Sequence, residues 1–326
     1  MKRIISALIS ALTLASFATP AFGWGSTGHK TVGQIAQLRL SGTTTLSRIE
    51  TILKPGETLA NIANWADSVK NEKKFKPQAL HADPDTQDFY RQMANRDNGD
   101  WHFVDLPLGC GSYNNCPASF RDDADIVKMI NLCIRKLRGE AVPNLTRRNA
   151  LRMLVHLIGD IHQPLHVGVG YINTDGPGNS IVFESNPSLI IQNDYSSDIG
   201  GNRLLLRNED SDNMHSFWDT ELVEDARGDR TVLQFATALN IDPQPGWTSQ
   251  GNAYTWSAQW ASDTLKTSRE SAYPTIRIKK EVIIDDRTKY QITKENEYGA
   301  RNAQVVKLQL AKGGYRLAQL LRAIFP

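Results

Sequence analysis

The sequence predicts a mainly α fold, a single domain of helices with one or two β-hairpin excursions. Three observations predict it. Apolar residues recur at three- and four-residue steps through most of the patterned stretches. The chain of 326 residues contains no internal repeat, low-complexity tract or interdomain linker. Only two regions, 169–207 and 274–292, change to short β-type runs among turn-forming residues.

The chain opens M-K-R, then the apolar run IISALISALTLASFA, then small residues at Ala21 and Gly23. A charged start, a short apolar run and a small-residue boundary read as a cleavable secretory signal over residues 1–23. Cleavage before Trp24 leaves 24–326 as the mature domain, exported to a periplasm or secreted. The apolar run is short for a membrane span, and no later stretch is longer and apolar enough. Loss of Lys2 and Arg3 takes the net charge of +2 to zero, so global charge does not advertise a nucleic-acid partner. An exported chain suits disulfides. Cys110 and Cys116 are close enough to close a small loop; pairing of either with Cys133 stays open.

Next come the helices. GHKTVGQIAQLRL follows Ser26 and Thr27 as caps and spaces Val32, Ile35 and Leu38 along one face. ETLANIANWADSVK carries the same rhythm, as do DIVKMINLCIRKLRG and TRRNALRMLVHLIGDIH. Residues 169–207, with the β-type runs SIVFES, SLIIQN and RLLLR, read as a loop bearing one or two hairpins. Residues 274–292 alternate around Asp285-Asp286 and read as a hairpin. The last stretch, NAQVVKLQLAKGGYRLAQLLRAIF, reads as helix interrupted or bent near Gly313 and Gly314.

Residues four apart lie on one face of a helix, so His156 and Asp160, and likewise His215 and Asp219, present an imidazole and a carboxylate to one point. One such pair is weak evidence for a metal. There are, however, only seven histidines, and His29, His102, His156, His166 and His215 each stand near a carboxylate or another candidate ligand. Asp67 sits inside an apolar stretch after a tryptophan, a place that calls for a partner. At about 100° per residue His162 points about 240° away from His156, so it is assigned to packing or a supporting hydrogen bond. Pro164 ends the helix and frees His166 to face elsewhere. There is no G-x-S-x-G elbow, phosphate-binding G-x-x-x-x-G-K-[ST] loop or H-E-x-x-H helix, which leaves a His/Asp metal centre as the leading chemistry.

WGSTGH, WADSVK, WHFVDLP, HLIGDIHQPLH, GGN and MHSFWD occur in an order that resembles the zinc-dependent type I nucleases, the S-one/P-one family of single-strand-specific nucleases and 3′-nucleotidases. The resemblance runs from Trp24 to about Asp219, with a weaker echo in GGYRLAQLLR. It implies the helical fold shared with bacterial zinc phospholipase C and three Zn2+ per chain. Trp24 (through its α-amine and carbonyl), His29 and Asp160 would hold one ion. Asp67, His102 and His156, with Asp160 bridging, would hold the second, and His166, His215 and Asp219 the third. The implied activity is hydrolysis of single-stranded DNA and RNA to 5′-phosphate products, with 3′-nucleotidase activity a further expectation. Asp67 and Asp160 would be catalytic and Lys70 would face the phosphate. Phe103 would stack a base, Asp105 would hydrogen-bond it, and Asn202 would contact substrate. No stable protein partner is implied, and a monomer is expected.

Two other readings compete: a zinc-dependent phospholipase C using the same cluster, and a non-enzymatic zinc-binding surface protein. The third ligand set has only three protein groups, which leaves a coordination position open and favours catalysis. The long segment between His166 and His215, the hairpin at 274–292, and Arg203 after GGN, where relatives commonly carry an acid, depart from the family pattern.

Overall fold

The computed structural model describes residues 24–70, 83–93, 98–207 and 211–326; the signal expected over residues 1–23 lies outside them. Helices dominate: α1 (Ser26–Leu40), α2 (Thr44–Glu50), α3 (Trp65–Ser68), α4 (Pro84–Met93), α5 (Ile126–Leu137), α6 (Arg147–Asp160), α7 (Pro187–Asn193), α8 (Leu222–Arg227), α9 (Val232–Leu239), α10 (Trp256–Thr267) and α11 (Tyr298–Ile324). The strands are short: β1 (Leu106–Pro107), β2 (Gly168–Val169), β3 (Tyr171–Gly176), β4 (Ser180–Glu184), β5 (Leu204–Leu205), β6 (Arg277–Ile284) and β7 (Arg287–Thr293). β1 pairs in parallel with β2, β3 with β4 antiparallel, and β7 lies between β5 and β6. Among the described residues no helix is long and apolar enough to cross a membrane.

The core is built around α6, which is buried along almost its whole length from Arg148 to Asp160. Thr146 caps it by accepting from the Asn149 amide. α1, α3, α5 and α11 pack around it, so the residues of α6 that face inward are surrounded by other helices rather than by water. Asp125 caps α5 in the same way, as its position before DIVKMINLC suggests. The disulfide joins Cys110 to Cys116, and Cys133 is a buried free thiol.

Four local expectations are corrected. ETLANIANWADSVK forms turns up to the single helical turn α3. Thr58 and Asn61 bond each other's backbone amides through their side chains, and Asn61 also donates to Gly56 O, offering the chain an alternative to helix. SLIIQN is not a strand but α7: Asn186 caps it and Pro187 opens it. The cap of α1 is Gly25, while Thr27 lies within the first turn and donates to Glu224. α11 runs unbroken through Gly313 and Gly314. Those glycines serve close approach, since a Cβ on Gly314 would stand 2.4 Å from Ile35 Cβ on α1.

An ion-pair network holds the N-terminal part of α6, on the same stripe of the helix as His156 and Asp160. Arg148 Nε donates to Glu57 at 2.9 Å and Nη1 to Asp83 and Asp85 at 2.9 Å each; Arg152 donates to Asp83 at 2.6 Å and to Glu57 at 2.8 Å. Asp83 also accepts from Thr86, which accepts from Trp65 Nε1 at 2.9 Å. The turn carrying Asp67 is thereby pinned to α6.

Two outcomes follow from this packing. Gly314→Ala should lose about 1–3 kcal/mol to forced separation of α1 and α11, outweighing the roughly 1 kcal/mol that alanine adds in a helix. Chemical unfolding checks it, and a more stable variant would contradict the close approach. Burial works to raise the Glu57 carboxyl, but Arg148, the Lys54 amide and Arg152 override it and hold it down to about 2 from an ordinary 4.5. A folded value below the unfolded one means the contribution is complete above pH 4.5 and lost as pH falls through about 2. Thermal melts should therefore decline less steeply across that window for Glu57→Gln, which starts lower at neutral pH; equal slopes would remove Glu57 from the acid response.

Candidate metal centre

α6 supplies His156 and Asp160 one turn apart on the same face, both fully buried. α1 brings His29 against them: its ring stacks on His156 at 3.8 Å between centroids. A Cβ on Gly159 would lie 2.5 Å from His29 Nδ1, so glycine is what lets that ring lie on the helix. The short 3₁₀ turn Gly99–His102 adds His102, α3 adds Asp67, and the 3₁₀ turn Pro164–His166 adds His166. A helical turn, Met214–Ser216, runs into a wider i→i+5 turn, Phe217–Glu221, and carries His215 and Asp219. Trp24 is fully buried at the start of α1, and Gly25 N–H bonds Asp219 O at 2.8 Å.

These side chains form three groups: His29, His156 and Asp160; Asp67, His102 and His156; and His166, His215 and Asp219. Asp160 joins the first two. Its Oδ1 lies 3.2 Å from His29 Nε2, while Oδ2 lies 2.9 Å from His102 Nδ1 and 3.0 Å from His156 Nε2. His156 Nε2 is 3.5 Å from Asp67 Oδ1 and 3.0 Å from His102 Nδ1. In the third group His215 Nε2 is 3.2 Å from Asp219 Oδ2. Ligands about 2.0–2.1 Å from a tetrahedral zinc stand about 3.3 Å from one another, and these spacings match.

The donor atoms fit a cation on independent grounds. Among the described residues His29 Nε2, Asp67 Oδ1, Asp160 Oδ1, His166 Nε2 and Asp219 Oδ2 are buried without a properly aligned hydrogen bond, a costly condition for polar atoms. Three rings have Nδ1 tied to a carbonyl: His156 Nδ1 to Ala63 O at 2.7 Å, His166 Nδ1 to His102 O at 2.8 Å and His215 Nδ1 to Gly200 O at 2.7 Å. A neutral ring that donates Nδ1–H offers a bare Nε2, so with a cation in place of the second proton each backbone bond aims a lone pair into the centre.

Electrostatics reinforce this. Burial works against charge on Asp160, yet His156, His166 and His29 hold its carboxyl well below the usual range. Burial likewise opposes the charge of Asp67, which His156, Lys70 and His102 bring down. Burial also opposes a proton on His156, but the Asp160 and Asp67 charges override it and push the imidazole up to about 10. Burial, with the Lys70 charge, pulls His102 down to about 3, and burial pulls His166 down to about 4. Three carboxylates, Asp67, Asp160 and Asp219, sit among five imidazoles, a donor set for divalent cations.

The other sequence-predicted residues surround this centre. Lys70 follows Asp67 by one turn, its amide donating to Asp67 O at 3.3 Å, and its charge acts on Asp67, His102, His166 and His215. Phe103 is half-buried on extended backbone beside His102 and belongs to neither hydrophobic cluster of the described residues. The Asp105 carboxyl is pushed up to about 6, chiefly by burial, with His215 opposing. Asn202 turns inward: its side-chain amide donates to Ile199 O at 2.8 Å, closing its own loop. His162 faces away as expected, with Nδ1 on Ile158 O at 2.7 Å and Nε2 accepting from Arg316 at 3.2 Å.

Sequence reasoning passed over Gln163. Fully buried, it donates to Asp219 Oδ1 at 2.6 Å and accepts from the Leu165 amide, fixing the carboxylate's orientation. A glutamine between a helix end and Pro164 was the available signal. Ala63 and Gly200 act through their carbonyls, which leave no mark on the side-chain pattern.

Similarity to known proteins agrees with this geometry. The S1/P1 Nuclease family model matches residues 24–326. The chain is 29% identical to Nuclease S1 of Aspergillus oryzae, over 97% of this chain and 96% of that protein. It is 27% identical to Endonuclease 2 of Arabidopsis thaliana over 93% and 91%, and 26% identical to Nuclease P1 of Penicillium citrinum over 92% and 97%. A family match across residues 24–326, on a chain whose buried histidines and aspartates converge in this way, places this protein in the S1/P1 nuclease family.

Proposed function

We propose that this nuclease is a zinc-dependent endonuclease that hydrolyses single-stranded DNA and RNA to 5′-phosphate products, with 3′-nucleotidase activity at the same site. Residues 24–326 form the working domain, exported to a periplasm or secreted after removal of residues 1–23, and active as a monomer. The observation that carries the reading is Asp160, whose two oxygens face two different donor groups at 2.9–3.2 Å. A bridging carboxylate is the arrangement that sets two cations side by side.

Three zinc ions fit the residues present. One would be held by His29, Asp160 and the α-amine and carbonyl of Trp24, a second by Asp67, His102, His156 and Asp160, and the third by His166, His215 and Asp219. Zinc bound there would supply Lewis acidity, lowering the pKa of water and neutralising charge on the phosphate.

The chain's own residues do the rest. Asp67 Oδ1, buried without a hydrogen bond, can accept one from the attacking water and aim it at phosphorus. Lys70 adds positive charge where the pentacoordinate phosphate becomes more negative. Phe103 offers its exposed face to a base, worth about 1–3 kcal/mol by stacking and tolerant of sequence. A base paired in a duplex cannot reach such a face, which supports preference for single strands. Asp105, part protonated near its value of about 6, can both donate to and accept from a base edge. Asn202 acts on substrate only by giving up its bond to Ile199 O.

The test offers purified mature protein single-stranded DNA, RNA, duplex DNA and phosphatidylcholine in parallel, with zinc measured per chain. About three zincs and preferential cleavage of single strands are expected; cleavage of phosphatidylcholine alone would favour a phospholipase C. Asp160→Asn should lose zinc and reduce hydrolysis at least a thousandfold, because one substitution touches two ions. A chain retaining one extra residue before Trp24 should lose zinc from the first group and most activity, and full activity would remove the α-amine from the site.

A further inference from the structure

The third donor group stands on two pieces of chain, with the turn that offers Gly200 O to His215 as a third, and each is tied to one short segment, residues 268–273. Ser268 Oγ lies 2.6 Å from Pro164 O, two residues before His166, and a Cβ on Gly168 would meet the Ser268 side chain at 2.5 Å. Tyr273 donates its hydroxyl to Asp198 Oδ2 at 2.9 Å. Asp198 Oδ1 in turn accepts the Gly201 amide at 3.1 Å, and the neighbouring Gly200 O accepts His215 Nδ1 at 2.7 Å. Ala272 O accepts the Tyr298 hydroxyl at 2.8 Å, and that oxygen accepts Trp218 Nε1 at 2.9 Å, one residue before Asp219.

The linking side chains Ser268, Asp198, Trp218 and Tyr298 are fully buried, where hydrogen bonds are strong and missing ones costly. The segment itself closes an i→i+5 turn, Tyr273 N–H to Ser268 O at 3.1 Å. That wider turn follows directly from α10 and presents Ser268, Ala272 and Tyr273 to three different neighbours. By contrast, the bridged groups are ordered by other parts of the chain: His156 by Ala63 O, and His29 by its stack on His156 over Gly159.

We infer that residues 268–273 form a common brace for the third metal site, with Tyr273 and Asp198 as positioning residues that set its metal affinity separately from the bridged pair. This rests on the three-zinc reading above. A brace of this kind orients ligands without touching the ion, and removing such supports typically costs about 10–100-fold in metal affinity. Tyr273→Phe keeps the ring, which packs edge-on to Phe183 at 5.4 Å, and deletes only the hydrogen bond.

The experiment titrates purified zinc-loaded protein with graded chelator and counts zinc per chain, alongside circular dichroism, thermal melts and kcat and KM on single-stranded DNA. Tyr273→Phe should release one zinc at about tenfold weaker chelation than wild type while the other two leave as before, and the lost ion should lower kcat more than it raises KM. Asp198→Asn, whose amide can still meet both the Gly201 amide and the Tyr273 oxygen, should stay close to wild type. Tyr254→Phe, which loses only a surface bond to Glu140, serves as the control. If Tyr273→Phe does not fold, Tyr298→Phe reads the brace from its other end. Unchanged release of all three ions from the folded hydroxyl-deletion variants would overturn the brace, as would loss of all three together. Fewer than three zincs in wild type would overturn the metal reading and the brace with it.

Discussion

Everything near the centre answers to one buried charge. Asp160 is fully buried and is the last residue of α6, where the helix presents partial negative charge and a carboxylate is least welcome. An unpaired carboxylate there would be strongly destabilising. Its surroundings supply the balance: His29, His102 and His156 within 3.2 Å and His166 at 3.7 Å, drawn from α1, the 100s turn, α6 and the turn after α6. Elements far apart in sequence therefore meet at one oxygen pair. Toward the N-terminus the same stripe of α6 carries Arg148 and Arg152, which clamp Glu57, Asp83 and Asp85 and so fix the helix that presents His156 and Asp160.

The geometry of the centre is largely a geometry of carbonyls. His156, His166 and His215 each lean one ring nitrogen on a backbone oxygen, and those oxygens belong to Ala63, His102 and Gly200. Side-chain chemistry selects the ligands; main-chain position aims them. Glycine makes that placement possible at two points. Gly200, at a φ of +55°, packs where a Cβ would lie 2.4 Å from Leu165 O, and Gly159 admits the His29 ring. Asp219 is oriented by the Gln163 side chain instead, and His29 by its stack on His156.

Much of this was legible in the sequence, for identifiable reasons. The long amphipathic helices and the His-x-x-x-Asp pairs obey fixed periods, so α1, α5, α6 and both pairs could be placed from spacing alone. His162 was separable from His156 by angle, and it indeed turns to Ile158 O and Arg316. The misreadings share a different cause. In residues 57–64 the side chains of Thr58 and Asn61 compete locally with helix bonds. In SLIIQN the cap and proline at Asn186-Pro187 outweigh the β-branched residues. At Gly313-Gly314 a tertiary approach to Ile35 uses residues that elsewhere break helices. Gln163 and Asp198 were missed because neither residue type nor spacing distinguishes a supporting hydrogen bond from a surface one.

The segment between His166 and His215 and the hairpin of β6 and β7 form one structural unit with the site. β5, just after the GGN turn, pairs in parallel with β7 of the 277–293 hairpin, with Leu204 opposite Tyr290. Tyr290 N–H bonds Arg203 O at 2.7 Å and Lys289 Nζ bonds Asn202 O at 3.1 Å, so the hairpin grips the turn from outside. Asp286 and Asp285, both at positive φ, make the tight reversal that lets β6 return along β7. On the other side β3 supplies Tyr171, whose hydroxyl reaches Asp105 O at 3.3 Å, and the residue just before it, Gly170, takes the Asp198 amide on its carbonyl. A turn carrying two glycines in left-handed backbone would be soft by itself. Held between β3 and the β6–β7 hairpin, it can present Gly200 O to His215 at a fixed distance, so these segments act on the candidate metal centre rather than decorating its rim.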